Sequence, residues 1–194
     1  MSMTTKKDIR KHFLELRLNL PDEEAAALNR QLLDNCKRLD YRQVALAHIF
    51  LPIAEKKEVN TWLLLEYLRS AYPAMQWALS KTCMETGTLT HFLWEEDTVL
   101  IKSKYGIPEP ADGKLLEAGD IDLVFVPLLA FDETGQRIGY GKGMYDQFLA
   151  ACRTDTRTIG LSLFEPVPLI TALDAWDVPL QTVVTPHKIY QFKQ

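Results

Sequence analysis

Cysteine is scarce in this chain of 194 residues: Cys36, Cys83 and Cys152 are odd in number, far apart and without a Cys-x-x-Cys pair. That argues against a disulfide framework and a structural zinc site, and leaves buried thiols in a reducing compartment as the expectation. Long apolar runs are missing too, since none approaches the roughly 18 consecutive apolar residues of a membrane span. Lys6 and Lys7 are followed by Asp8 rather than by an apolar segment, so the chain is expected to be cytoplasmic, without a secretory leader. An excess of positive charge is lacking as well: 22 Lys and Arg stand against 26 Asp and Glu, a formal charge of −4. No general cationic field draws the protein to nucleic acid or an anionic membrane, so any phosphate must be met locally. His12, His48, His91 and His187 lack ligand spacing and read as ordinary surface or core residues. Repeats, linkers and low-complexity tracts are not found.

What is present suits one globular domain, 47% apolar and 25% charged, with enough chain for a substantial core. Ile9, Phe13, Leu16 and Leu20 predict one apolar stripe on a first helix, with Lys6 and Arg10 one turn apart beside it. After Pro21 an acid-rich turn opens a second helix with the stripe Leu28, Leu32, Cys36 and Leu39. The period then changes. The segment 44–51, VALAHIFL, is short, apolar and stopped by Pro52, which predicts a strand buried on both faces. Asn60 or Thr61 can cap a third helix, and MQWALSK, GTLTHFLW, IDLVFVP, TIGLSLF and QTVVT read as further strands. Strands alternating with helices predict an α/β fold, a single-domain three-layer sandwich with a mostly parallel sheet and helices on both faces.

The chemistry concentrates in RIGYGKGMYD, Arg137 to Asp146, in a loop of about a dozen residues between the strand IDLVFVP and a helix whose face holds Met144, Phe148 and Ala151. Open α/β sheets bind ligands at such a place, where free N–H groups and the helix dipole favour an anion. The pattern is neither the G-x-G-x-x-G dinucleotide fingerprint nor a P-loop. Gly139, Gly141 and Gly143 can let amides close around a phosphate, Arg137 and Lys142 add charge, and Asp146 is placed to hold a divalent ion. A second reading stays open on these residues alone: a flexible connection with solvated cations and an Asp that stabilises the helix start. Lys6 and Arg10 on a wet helix face, Glu58 before a helix cap and Tyr105 beside Gly-Ile-Pro are each equally compatible with plain structure.

Taken together, these segments resemble the 5-formyltetrahydrofolate cyclo-ligase family. The likeness is carried by GQRIGYGKGMYDQFL, by KKDIR near the start, by EVNT after the first strand, by YGIPEP and by the DLVFVP strand, in order from about Lys6 to Thr185. The resemblance implies a Rossmann-like fold and the ATP- and Mg2+-dependent conversion of 5-formyltetrahydrofolate to 5,10-methenyltetrahydrofolate, ADP and phosphate. It also implies roles. Lys6, Arg10 and the loop Arg137, Ile138, Gly139, Tyr140, Gly141, Lys142, Gly143, Met144 and Tyr145 match nucleotide-contacting positions, with Arg137 and Lys142 acting on the transferring phosphoryl group. Asp146 matches a Mg2+ ligand, and Leu51, Glu58, Tyr105, Tyr140 and Met144 match positions around the folate. The expected partners are these small molecules, with no nucleic acid and no membrane, and a monomeric chain. Three departures are visible: Met144 stands where many members have Tyr, Gln181 stands where the family tends to have an acidic residue that assists the metal, and the segment LPIAEKKEVNT that carries Leu51 and Glu58 is slightly longer than in relatives. A non-catalytic folate- or nucleotide-binding protein on the same fold is the alternative.

Overall fold

The computed structural model describes residues 5–171 and 173–193. Two helices come first, α1 (Lys6–Leu18) and α2 (Asp22–Cys36), followed by β1 (Leu46–His48), α3 (Thr61–Ala71), β2 (Gln76–Cys83) and β3 (Thr88–Leu93). Next come a small ribbon of β4 (Leu100–Lys102) and β5 (Pro108–Pro110), then β6 (Leu115–Leu116) and β7 (Leu123–Pro127). A second ribbon, β8 (Ala130–Phe131) with β9 (Arg137–Ile138), precedes α4 (Met144–Ala151), and β10 (Arg157–Leu161), β11 (Thr182–Val184) and β12 (Ile189–Gln191) complete the chain. The main sheet has the order β12-β11-β10-β7-β1-β2-β3-β6. Its five central strands are parallel, while β12, β3 and β6 pair antiparallel at the edges.

By sequence the parallel strands run 2-1-3-4-5 across the sheet, so winding reverses between β1 and β7. Crossovers of one hand then place α3 and α4 on opposite faces. The core agrees: Leu64, Leu65 and Leu68 of α3 pack with Ala47, Leu123 and Phe125, whereas Phe148 and Leu149 of α4 pack with Leu46, Val124 and Val126. The alternation along β1 and β7 is the two-residue period of a strand covered on both sides. A switch point opens a crevice at the carboxyl ends of the two strands that flank it. Here those ends lead into residues 49–58 and 128–143.

Several local expectations are corrected. On α1 the buried residues are Ile9, Phe13 and Arg17, while Leu16 is exposed and Leu20 lies beyond the helix. The inward face steps by four residues each time, and a guanidinium occupies its third position. On α2 the buried face is Asn29, Leu32, Asn35 and Cys36, and Leu39 follows the helix end. The first strand is paired only from Leu46 to His48. Asn60, not Thr61, caps α3, its side chain accepting from the Trp62 amide. The loop after β7 is not irregular throughout: β8 and β9 pair across a turn in which Asp132 Oδ1 accepts from the Thr134 and Gln136 amides. On α4, Phe148 and Leu149 are buried, but Ala151 faces solvent. Among the described residues no helix is long and apolar enough to cross a membrane.

Candidate active site

A cleft of about 1090 Å³ lies at the switch point, and every residue singled out from the sequence as a site candidate borders it: Lys6 and Arg10 from α1, Leu51 and Glu58 after β1, Tyr105 before β5, and Arg137 to Asp146. Four chain segments far apart in sequence therefore meet at one place. Within the loop, Gly141 (φ +83°) and Gly143 (φ +67°) take left-handed conformations. Gly143 is the residue from which α4 starts, and no side chain caps that end among the described residues, so its first amides remain available to an anion.

The helix α1 is fastened to this loop. Arg10 Nε donates to the Gly139 carbonyl at 3.0 Å, and a Cβ on Gly141 would come within 2.9 Å of Arg10 Cζ. Gly141→Ala therefore places a side chain in an unfavourable backbone region and pushes the guanidinium off its acceptor. Loss of that hydrogen bond is worth about 1 kcal/mol, or roughly a fivefold weaker affinity for an anion held by this loop. A binding titration with inorganic phosphate, run beside a thermal melt, checks this expectation; unchanged phosphate affinity would show that the Arg10 clasp does not shape the loop.

The charged residues are not all free. Arg137 and Asp146 form a buried ion pair, Nη2 to Oδ1 at 2.8 Å, and the same oxygen accepts from the Val178 amide at 3.1 Å. Burial pulls the Arg137 guanidinium down from its ordinary value, while Asp146 pulls it up. Lys6 bridges Asp174 and Asp177 at 2.6 and 2.5 Å. Burial works against its charge, but those two carboxylates prevail and hold its pKa above the usual lysine value. Lys142, by contrast, is exposed and has no hydrogen-bond or ion-pair partner among the described residues.

On the other wall Tyr140 donates its hydroxyl proton to Glu58 Oε1 at 2.5 Å, and Glu58 Oε2 accepts from the Ile53 amide at 2.7 Å. Lys56 sits 4.2 Å above the Tyr140 ring centroid. Burial, then the nearby Glu58 charge, raises the Tyr140 pKa well above the ordinary phenol, so it is a neutral donor. Tyr105 is 41% exposed at the cleft, and Met144 and Leu51 add apolar lining. Ile138 turns its side chain into the core beside Ile9 and Phe13, and Tyr145 packs on His48 and Phe148.

Other residues went unread in the sequence. Asp174, Trp176 and Asp177 border the cleft but lie in a polar, Pro-rich passage without periodicity. Ser80 Oγ stands between His48 Nε2 (2.7 Å) and His91 Nδ1 (2.9 Å), with His48 and Ser80 at the cleft wall. Burial lowers the two imidazoles to about 3 and about 4, so both are neutral. Gln181 does not border the cleft. Its Oε1 accepts from the Thr158 amide and its Nε2 donates to the Thr156 carbonyl, both at 3.2 Å. The amide ties the start of β10 to the start of β11.

Among the described residues no three His, Cys, Asp or Glu side chains converge as a metal cage. Magnesium does not need one, because it is commonly held by one or two carboxylates together with substrate phosphates. Asp146, at the cleft beside the glycine loop, suits that donor set.

Fold and cleft together define an α/β protein whose switch-point crevice sets an anion-receptive glycine loop opposite a wall of Tyr, Glu and apolar side chains. Residues 2–186 match the profile of the 5-formyltetrahydrofolate cyclo-ligase family, and the chain belongs to that family. It is 29% identical over 164 residues to the 5-formyltetrahydrofolate cyclo-ligase of Escherichia coli strain K12, an alignment spanning 80% of this chain and 87% of that protein. The NMR structure of Aquifex aeolicus 5,10-methenyltetrahydrofolate synthetase superimposes with a TM-score of 0.79 at 28% identity, over 97% of this chain and 93% of that one. A Mycoplasma pneumoniae 5,10-methenyltetrahydrofolate synthetase shares the fold, with a TM-score of 0.72 at 21% identity over 93% and 98% of the two chains.

Proposed function

We propose that the chain closes the ring of 5-formyltetrahydrofolate to give 5,10-methenyltetrahydrofolate, consuming ATP and Mg2+ and releasing ADP and phosphate. The observation that carries this reading is the meeting, in one cleft, of the glycine loop with its cations and the Glu58–Tyr140 wall. A formamide oxygen is a poor leaving group. Its phosphorylation makes phosphate the group that departs, and N10 of the same molecule then attacks the activated carbon, so that held geometry replaces an encounter.

Phosphoryl transfer asks the protein mainly for positioning and charge neutralisation. In this reading the amides from Gly139 to Gly143 receive the phosphates, Lys6 and Arg10 fix them from α1, and Lys142 and Arg137 stabilise charge on the transferring group. Asp146 would hold Mg2+, which draws charge from phosphate oxygens when bound. Ile138 and Tyr145 anchor the loop from below. Leu51, Tyr105, Met144 and the Tyr140 ring flank the flat heterocycle, and Glu58 accepts hydrogen bonds from its N–H groups. The same reading makes the chain a single Rossmann-like domain, a cytoplasmic monomer acting on small molecules without nucleic acid or membrane.

The mechanism is tested with substrate carrying ¹⁸O in the formyl group. Label recovered in inorganic phosphate is the expected result; label recovered in water would rule out phosphorylation of that oxygen. For the folate wall, Glu58→Gln exchanges a carboxylate for an amide that cannot accept at both positions. A charge-assisted hydrogen bond is worth about 1.5–3 kcal/mol, so the KM for folate rises roughly ten- to hundredfold with nucleotide affinity unchanged. An unaltered folate KM would remove Glu58 from the site.

A further inference from the structure

Arg17 has no place in the roles above, yet it is one of the few buried charges of the molecule, 4% exposed on the inward face of α1. A buried guanidinium is retained only where its charge is answered. No carboxylate lies within ion-pair distance of it among the described residues, and its Nε–H is buried without a partner. What it does touch is the Tyr140 hydroxyl, through a short Nη2–H donation, with its Cζ 5.8 Å from the ring centroid. Tyr140 in turn donates to Glu58 Oε1 at 2.5 Å. Arg17 and Glu58 also face one narrow void together with Phe50 and Leu128.

The sense of this chain is fixed by what each group can do. A guanidinium only donates, so Tyr140 Oη must accept from Arg17, and its single proton must go to Glu58. Glu58 then takes Tyr140 O–H on one oxygen and Ile53 N–H on the other, and all its remaining capacity is that of an acceptor. The three links polarise in one direction, from the cation through the phenol to the carboxylate.

We propose that Arg17 is a positioning residue for the folate wall: acting through Tyr140, it sets Glu58 as an acceptor-only group that selects ligands presenting N–H donors at that point. This rests on the functional reading above for the identity of the ligand. Without Arg17 no donor is fixed against the Tyr140 oxygen, so the hydroxyl is free to turn its proton away from Glu58 toward another acceptor.

The test is a double-mutant cycle of Arg17→Met and Tyr140→Phe, with Arg17→Lys as the variant that restores a donor-only cation. The readouts are the KM values for 5-formyltetrahydrofolate and ATP, the folate Kd from tryptophan fluorescence quenching, and the melting temperature. Arg17→Met is expected to raise folate KM and Kd about tenfold with ATP KM changed less than twofold, and to add nothing further in the Tyr140→Phe background. Arg17→Lys is expected to recover part of the loss. An unchanged folate Kd in Arg17→Met, or the same increase in both backgrounds, overturns the proposal and leaves Arg17 as a packing residue. Should Arg17→Met not fold, the comparison of Arg17→Lys with and without Tyr140→Phe decides by the same rule. A wild-type chain that binds the folate without forming product would contradict the functional reading, while the cycle would still be decided by Kd.

Discussion

Lys142→Ala lowers turnover about a hundred- to thousandfold, the range seen when one preorganised charge is removed from a developing oxyanion, and changes the folate KM by less than threefold. The reason lies in what Lys142 does not do. Arg137 is bound to Asp146, Lys6 to Asp174 and Asp177, and Arg10 to the Gly139 carbonyl, whereas Lys142 has no partner among the described residues and sits exposed between Gly141 and Gly143. Its removal breaks no fold contact, so stability should stay within about 0.5 kcal/mol of the parent. A loss confined to kcat marks an interaction made only in the transition state. Equal losses in turnover and folate binding would instead make Lys142 a general binding residue.

Asp146→Ala is expected to damage stability and catalysis together. The side chains of Arg137 and Asp146 are only 5% and 14% exposed, and removing one partner of a buried pair costs about 3–5 kcal/mol because the other charge is left unanswered. For a chain of this size that is a fall in melting temperature of roughly 6–20 °C. Asp146→Asn separates the two effects, since its side-chain oxygen still accepts from the Val178 amide and from Arg137. It should melt closer to the parent yet need a several-fold higher Mg2+ concentration for half-maximal rate, because a neutral oxygen holds a hard cation less well. A Mg2+ requirement identical to the parent's in Asp146→Asn would take the metal away from this carboxylate and leave it as the support of Arg137.

The parts of this site that could be read from sequence were those with a local signal. The glycine spacing from 139 to 143 marked the loop, and the apolar run 121–127 marked the strand that delivers it. The partner segments matched one family's order without any contact being visible in the letters. What escaped depends on contacts between distant residues. Arg17 and Glu58 are joined through Tyr140 across 123 and 82 positions, and the Lys6 bridge to Asp174 spans 168. Leu16 misled for a related reason: a stripe counted as four, three and four favours the leucine, while the helix turns its four-by-four row inward and carries Arg17 with it. Gln181 was legible as a neutral residue but not as a strut, because its partners Thr156 and Thr158 lie at and just before the start of β10, more than twenty positions away. The edge strands β6 and β12 and the ribbons were missed because two- and three-residue pairings carry too few letters for a period to show.

The central claim is that one cleft joins ATP to the formyl oxygen of 5-formyltetrahydrofolate. It is tested most directly by following near-ultraviolet absorbance of the protein with that folate and ATP, with Mg2+ withheld and then added. The predicted result is growth of the methenyl chromophore only when ATP and metal are both present, with ADP formed in equal amount. Binding of the folate, seen as tryptophan quenching, with no chromophore under any of these conditions would contradict the account and make the protein a binder on an enzyme's fold.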